Sequence, residues 1–283
     1  MSEHLTLLDV IERSTEYLNK KEVTNSKCDV EWIISYITQK GKLELYLEYE
    51  KFLDKEDLKK IRRCIIDRGK RIPLQHILGK VNFAGNEIFC DKRALIPRPE
   101  TEYFTELIKE RISSKYSGKI LDLGTGSGAI IITLCMEYKN CEGYGMDKSI
   151  NALSLAKENI KFHNLKNIKL QKFDWTSDKL NSSYGVIVSN PPYLTNDEWN
   201  CAEKEVKAFD PKDALVSKEN GLSDIYHVIN HAKKNLPKKG LLALEIGIGQ
   251  KNNILQNMSS EFTEIEIIKD LCKRERFIFA YKK

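Results

Sequence analysis

Paired cysteines are missing from this chain. Its seven cysteines, at positions 28, 64, 90, 135, 141, 201 and 272, are odd in number, form no C-x-x-C pair and have no histidine at metal-ligand spacing. Neither a disulfide framework nor a zinc site is indicated, no metal is expected, and a reducing cytoplasm is the expected compartment. Long apolar runs are also missing: nothing approaches the roughly 20 residues needed to span a bilayer. The first residues, MSEHLTLLDVIERS, are polar and acidic early, unlike a secretory signal, so no membrane partner is expected. A strong excess of one charge is absent as well. Lys and Arg number 46 against 41 Asp and Glu, a net charge of +5 scattered along the chain rather than gathered in a tail. That balance permits a nucleic-acid partner without arguing for one, and a solvated surface is the plainer reading. Internal repeats and low-complexity segments are not found.

What is present is ordinary globular material, 41% hydrophobic and 31% charged over 283 residues. That length exceeds the need of one modest core and suggests a large domain plus a small one. From Thr6 onward Leu7, Val10, Ile11 and Leu18 follow helical spacing, as do Val30, Ile33, Ile34 and Ile37, then Leu58, Ile61 and Ile65. Thr6 with Asp9, and Asp54 with Asp57, resemble helix starts, and Gly69 followed by Pro73 ends the run. Residues 1–75 are therefore expected to form a small helical domain whose apolar stripes are core. Residues 76–94 read as a linker with a β-hairpin, VNFAGNEIF, turning at Ala84-Gly85-Asn86. Over 95–283 the strand-like KILDL, GYGMD, IKLQKF, YGVIVSN and LLALEIG alternate with helical stretches, which predicts an α/β domain with a parallel sheet.

Chemistry concentrates in that last region. Ile120 to Gly128 runs from a strand into a glycine loop, and glycine lets backbone approach a ligand that a Cβ would exclude. Gly124, Gly126 and Ala129 also satisfy a dinucleotide fingerprint, so the loop alone does not separate NAD from S-adenosylmethionine, and a plain strand-to-helix turn is the bland reading. Asp147 ends GYGMD about twenty residues on, where a carboxylate can accept hydrogen bonds from ribose hydroxyls; capping the next helix with Ser149 is the weaker alternative. Trp175, in Phe173-Asp174-Trp175, ends the third strand where a ring can lie beside an adenine, although alone it would read as core.

The decisive motif is Ser189-Asn190-Pro191-Pro192-Tyr193, following the apolar Val186-Ile187-Val188. Two prolines fix the backbone and remove two N–H donors, leaving carbonyl oxygens free to accept. An amide or exocyclic amino nitrogen is a poor nucleophile because its lone pair is delocalised, so it needs acceptors rather than a strong base. The Asn190 side-chain oxygen and the Pro191 carbonyl can each accept one N–H while Tyr193 packs on the planar group, which is catalysis by proximity and preorganised electrostatics. The motif says that a planar NH2 group meets a methyl donor. Glutamine and adenine both stay open at this point.

Taken together, these stretches resemble the N5-glutamine methyltransferases that modify class I peptide-chain release factors. The resemblance covers nearly the whole chain: PLQHILG (73–79), the hairpin, LIPRPETE (95–102), ILDLGTGSG (120–128), Asp147, Asn190 to Tyr193, Glu219-Asn220-Gly221-Leu222, LEIG (244–247) and Asp270-Leu271 with Arg276. It implies a Rossmann-like class I methyltransferase fold over 95–283, with a seven-stranded sheet whose last strand is antiparallel. FTEIEIIKD with RFIFAYK would be the final hairpin, and a helical bundle that helps dock the protein substrate would precede the sheet. It implies that S-adenosyl-L-methionine is held by Gly124, Thr125, Gly126, Ser127, Gly128, Asp147, Trp175 and Asn190, leaving S-adenosyl-L-homocysteine as product. Asn190, Pro191, Pro192 and Tyr193 would bind the substrate glutamine of a Gly-Gly-Gln loop and carry catalysis, so that methylation modulates translation termination. Arg98 and Glu100 admit two roles, gripping cofactor or substrate, or forming a salt-bridged linker. A sister enzyme acting on a ribosomal-protein glutamine and an adenine-N6 nucleic-acid methyltransferase are the rivals. The near-balanced helical region argues against the latter, so no direct nucleic-acid substrate is expected. A catalytically silent binding module and an NAD oxidoreductase leave Asn190 to Tyr193 without a role.

Overall fold

The computed structural model describes residues 5–258 and 260–283; residues 1–4 of the polar amino-terminal stretch, and residue 259, lie outside the described residues. The chain divides into two compact units, Met1–Gly79 and Lys80–Lys283. The hairpin thus falls in the second unit, and Leu74–Leu78 in the first.

The first unit is all helical: α1 (Leu7–Lys20), α2 (Ser26–Thr38), α3 (Lys42–Leu47), α4 (Lys55–Gly69) and α5 (Leu74–Leu78). The Thr6 hydroxyl accepts from the Asp9 N–H at 3.1 Å while the Asp9 carboxylate accepts from the Thr6 N–H at 2.9 Å, a reciprocal cap that satisfies donors the first turn would leave open. Asp54 starts α4 likewise, accepting from the Asp57 N–H at 2.8 Å. The periodic stripes meet in one core of Leu7, Val10, Ile11, Leu18, Val30, Ile33, Ile34, Leu45, Ile61 and Ile65. Between α2 and α4 the Arg68 guanidinium donates to Asp29 at 2.7 Å with both side chains buried.

The second unit opens with β1 (Lys80–Phe83) and β2 (Asn86–Phe89), joined through Ala84 and Gly85 at φ 48° and 79°, a left-handed pair that suits the twist of a tight hairpin. Phe83 and Ile88 are buried with Phe104 and Ile131 in one core. Then follow α6 (Pro99–Arg111), β3 (Lys119–Leu123), α7 (Ala129–Glu137), β4 (Glu142–Asp147), α8 (Ile150–Phe162), β5 (Ile168–Lys172) and β6 (Val186–Ser189). The chain continues through α9 (Asn196–Cys201), α10 (Lys204–Phe209), the single turn α11 (Lys218–Gly221), α12 (Ser223–Asn235), β7 (Leu241–Glu245), α13 (Lys251–Met258), β8 (Phe262–Lys269) and β9 (Glu275–Lys282).

Seven strands form one sheet in the order β5-β4-β3-β6-β7-β9-β8, parallel except for the final β9, which runs antiparallel to both neighbours. Alternate residues of the central strands feed two cores, Ile120, Val186, Val188 and Ala243 on one face and Leu121, Leu123, Ile187 and Leu242 on the other. Helices on both faces explain why β3, β6 and β7 read as nearly continuous apolar runs. From β3 the chain crosses to β4 on one side and returns to β6 on the other. The carboxyl ends of β3, β4 and β6 therefore splay around a switch point, the position at which open α/β sheets bind ligands.

Candidate functional site

A cavity of about 880 Å³ opens at that switch point, lined among others by Gly124, Thr125, Gly126, Ser127, Asp147, Trp175, Asn190 and Pro192. The glycine loop leaves β3 with the Gly124 and Thr125 N–H groups bound to the Met146 carbonyl at 2.8 and 2.9 Å. Gly124 has φ +79°, and a Cβ there would stand 3.2 Å from the Trp175 ring. The left-handed loop conformation favours glycine, and a Cβ would press on the ring by a few tenths of an ångström.

Behind the loop lies Asp122, fully buried, accepting from the Thr125 hydroxyl at 2.7 Å. Burial pushes its carboxyl up to about 7, against the Thr125 hydrogen bond and with the Asp147 charge adding to the rise. Asp147 accepts from the Gly126 N–H at 3.0 Å and the Ser149 N–H at 2.8 Å, so its carboxylate ties the glycine loop to the start of α8 and lines the cavity. Burial raises its pKa despite those two donors. Ser149 itself caps α8 through the Ala152 N–H at 3.2 Å. Trp175 is pinned from behind, its indole N–H donating to Asp224 at 2.7 Å and its carbonyl meeting a His231 ring nitrogen at 2.9 Å.

Asn190 lies one residue beyond the register pair Ser189↔Leu244, and its Nδ2 donates to the Thr101 hydroxyl at 3.0 Å. Asn190 and Pro192 line the cavity, whereas Pro191 is buried and Tyr193 stands behind the wall, partly buried among Leu222, Ile246 and their neighbours. The Tyr193 hydroxyl receives a hydrogen bond from Arg276 and reaches Glu245 Oε1 at 3.4 Å, and the Arg276 guanidinium lies 4.5 Å above the Tyr193 ring. Burial, reinforced by the Glu245 charge, pushes the Tyr193 phenol well above its usual range. Arg98 reaches the cavity wall and pairs with Asp210 at 2.5 Å, while Glu100 pairs with Arg274 at 3.1 Å. Arg98 and Glu100 thus both carry the ion pairs of the linker reading, and Arg98 also lines the cavity.

Periodicity and spacing singled out none of Thr101, Asp122, Asp224, Glu245 and Arg276 for a role. Glu245 nonetheless ends LLALE, an otherwise apolar strand in which every residue is buried. A carboxylate in such a strand requires a partner.

The comparisons extend these features to known proteins. Residues 88–208 match the Methyltransferase small domain and residues 9–79 the PrmC N-terminal domain. A release factor glutamine methyltransferase of Fusobacterium nucleatum is 34% identical over 279 residues, covering 97% of this chain and 78% of the relative. One from Thermodesulfovibrio yellowstonii is 35% identical, covering 88% of this chain and 90% of its own, and one from Francisella tularensis is 34% identical with 96% of both covered. Among solved structures, a methyltransferase from Pyrococcus furiosus has a TM-score of 0.52 at 18% identity, covering 70% of this chain and 89% of that one. A Thermus thermophilus 16S rRNA methyltransferase, solved with AdoMet and guanosine, scores 0.51 at 16% identity, covering 72% of this chain and 50% of its own. These two share the fold. With a class I methyltransferase sheet, a helical amino-terminal unit and relatives matched over nearly its whole length, the chain belongs to the release factor glutamine methyltransferase family.

Proposed function

We propose that this chain transfers the methyl group of S-adenosyl-L-methionine to the side-chain amide nitrogen of a glutamine in the Gly-Gly-Gln loop of class I release factors. In this reading Asn190 and the Pro191 carbonyl hold that glutamine, Tyr193 braces the turn from behind the wall rather than packing on the amide, and the helical unit helps dock the bearer. A cytoplasmic site of action follows from that substrate. The observation that carries the reading is the placing of Asn190 and Pro192 in the wall of the cavity that also holds the glycine loop, Asp147 and Trp175.

The residues present suit the cofactor. Gly124 leaves room that a Cβ would close, the Asp147 carboxylate is a fixed acceptor for ribose hydroxyls, and Trp175 offers a flat wall for adenine. When bound, S-adenosyl-L-methionine supplies an electrophilic methyl group. The chain's own part is to place the amide nitrogen and to stabilise the charge it acquires. The Asn190 side-chain oxygen and the Pro191 carbonyl accept the two N–H groups, which fixes the plane of the amide. As the nitrogen gains positive charge, both acceptors gain in strength before a proton leaves to solvent. No general base is required.

Methyl-labelled S-adenosylmethionine offered with a release factor, its Gln-to-Ala variant, a ribosomal-protein extract and DNA separates the possibilities. Label on the intact release factor alone is the expected outcome, and label on DNA, or equal label on the variant, refutes the proposal. Asn190→Ala is expected to abolish transfer while cofactor binding persists. Turnover surviving within about tenfold, roughly 1.4 kcal/mol, would remove the role given to Asn190.

A further inference from the structure

We propose that Thr101 is a positioning residue which, with its hydroxyl committed to Glu245, turns the Asn190 side chain so that its oxygen faces the substrate. The proposal rests on the acceptor role of Asn190 and adds what decides which end of that amide points outward.

An asparagine amide has two ends of nearly equal shape, and only hydrogen bonding settles which is which. Glu245 closes β7 and is 1% exposed; burial raises its pKa, and the Arg276 guanidinium 3.5 Å from Oε1 opposes that rise and pairs with it as a carboxylate. An ionised carboxylate has no proton to give, so the 2.7 Å contact between Thr101 Oγ1 and Glu245 Oε2 is donated by threonine. That uses the only hydrogen the hydroxyl has. What remains on Thr101 toward Asn190, 3.0 Å away, is a lone pair, and only the NH2 end of the amide can meet it. The flipped amide would set the half-buried Asn190 oxygen against the buried Thr101 oxygen without a hydrogen between them, an unfavourable arrangement. The Asn190 oxygen is thereby left for the cavity.

Two elements bring the relay together. The register of β6 on β7 sets Asn190 beside Glu245, and the first turn of α6, which Pro99 begins, supplies Thr101. Thr101 is 5% exposed, and its carbonyl accepts from the Thr105 hydroxyl at 2.9 Å, so it sits in a fixed turn. The last residues of LIPRPETE thus have a use beyond linking hairpin to sheet. Glu245 also accepts from the Tyr193 hydroxyl, so one carboxylate holds both ends of Asn190-Pro191-Pro192-Tyr193.

Thr101→Val keeps the shape and removes the hydroxyl; Thr101→Ser restores it. In the valine variant kcat on the release factor is expected to fall by about tenfold to a hundredfold, with KM changed little and cofactor affinity within about twofold. Serine should recover most of the parental kcat. Nuclear magnetic resonance of the Asn190 side-chain amide, assigned by its loss in Asn190→Ala, reads the contact without any substrate. One amide proton should exchange slowly in the parent and the serine variant and rapidly in the valine variant. Glu245→Gln, which can offer Thr101 an N–H and turn the chain of donors round, should lower kcat as valine does. Parental kcat in Thr101→Val alongside an inactive Asn190→Ala overturns the relay while leaving the acceptor role standing. Parental kcat in Asn190→Ala overturns both. Amide exchange that is the same in all Thr101 variants overturns the orienting contact whatever the substrate proves to be.

Discussion

Asp122 carries a carboxyl where water does not reach it, and its hydrogen bond from Thr125 lies directly behind the glycine loop. Its folded pKa, about 7, stands above the ordinary 3.8, so the folded state holds the proton more tightly than the unfolded chain. The sign follows. Its stabilising contribution is complete below 3.8 and is lost as the pH rises through about 7. Asp122→Asn keeps an oxygen for Thr125 and cannot ionise. Chemical denaturation at about pH 5 and about pH 8 should therefore show a smaller loss of stability for the variant than for the parent, by on the order of a few kcal/mol. Equal slopes would mean that Asp122 titrates normally. At Asp147 the same burial competes with two backbone donors that hold the loop as well as the carboxylate. Asp147→Ala is accordingly expected to weaken cofactor binding by at least about tenfold in a calorimetric titration, about 1.4 kcal/mol. Unchanged affinity would reduce Asp147 to a helix-start residue. The place of Asp147 beside the glycine loop was legible from its spacing, because strands and the connections between them have limited lengths. Asp122 was not: one buried acid in ILDLG looks like any other until its depth and its threonine are known.

Between β6 and β7 the chain makes a turn that no periodicity announces. Glu219, Asn220 and Gly221 take φ of 52°, 53° and 82° in succession, a left-handed run inside what spacing would draw as helix. A Cβ on Gly221 would stand 2.1 Å from the Tyr193 carbonyl and 2.6 Å from the Gln250 Nε2 that binds it. Gly221→Ala must push Tyr193 away, and with it the end of Asn190-Pro191-Pro192-Tyr193. Since a displacement of about 1 Å at a reacting group can cost a hundredfold, kcat is expected to fall by about tenfold or more while the cofactor still binds. Parental kcat would show that Tyr193 tolerates the shift. In the helical unit, Asp29→Ala leaves the Arg68 guanidinium buried without its carboxylate, and stability measured by urea unfolding should drop by about 3 kcal/mol. The helices carrying these two residues were legible because α1, α2 and α4 each show a stripe to one core. The six-residue α3, α9 and α10 were not, being too short for a stripe to repeat.

At the scale of the whole chain, the two compact units have separate cores: one drawn from residues up to Leu78, the others from Val81 onward. Every residue lining the cofactor-sized cavity lies between Arg93 and Ala214, inside the second unit. The parallel sheet was legible because strand-length apolar runs alternate with helices, whereas its antiparallel last strand was implied only by the family resemblance, with FTEIEIIKD and RFIFAYK as the final hairpin. That the hairpin is buried with the second unit was not, since its few apolar residues carry no mark of what covers them. On the proposed reading, binding the methyl donor and finding the protein that receives it fall to different units. A fragment of residues 80–283 should unfold in one cooperative transition and bind S-adenosyl-L-methionine within about twofold of the full chain, because it keeps its own core and every wall of the cavity. Its kcat on a short glutamine-containing peptide should match that of the full chain. On the intact release factor, by contrast, KM should rise by about tenfold or more, as uniform binding energy from the helical unit is lost and the reacting centre is left alone. An unchanged KM would show that the helical unit does not dock the substrate, and a lost cofactor affinity would show that the second unit does not stand by itself.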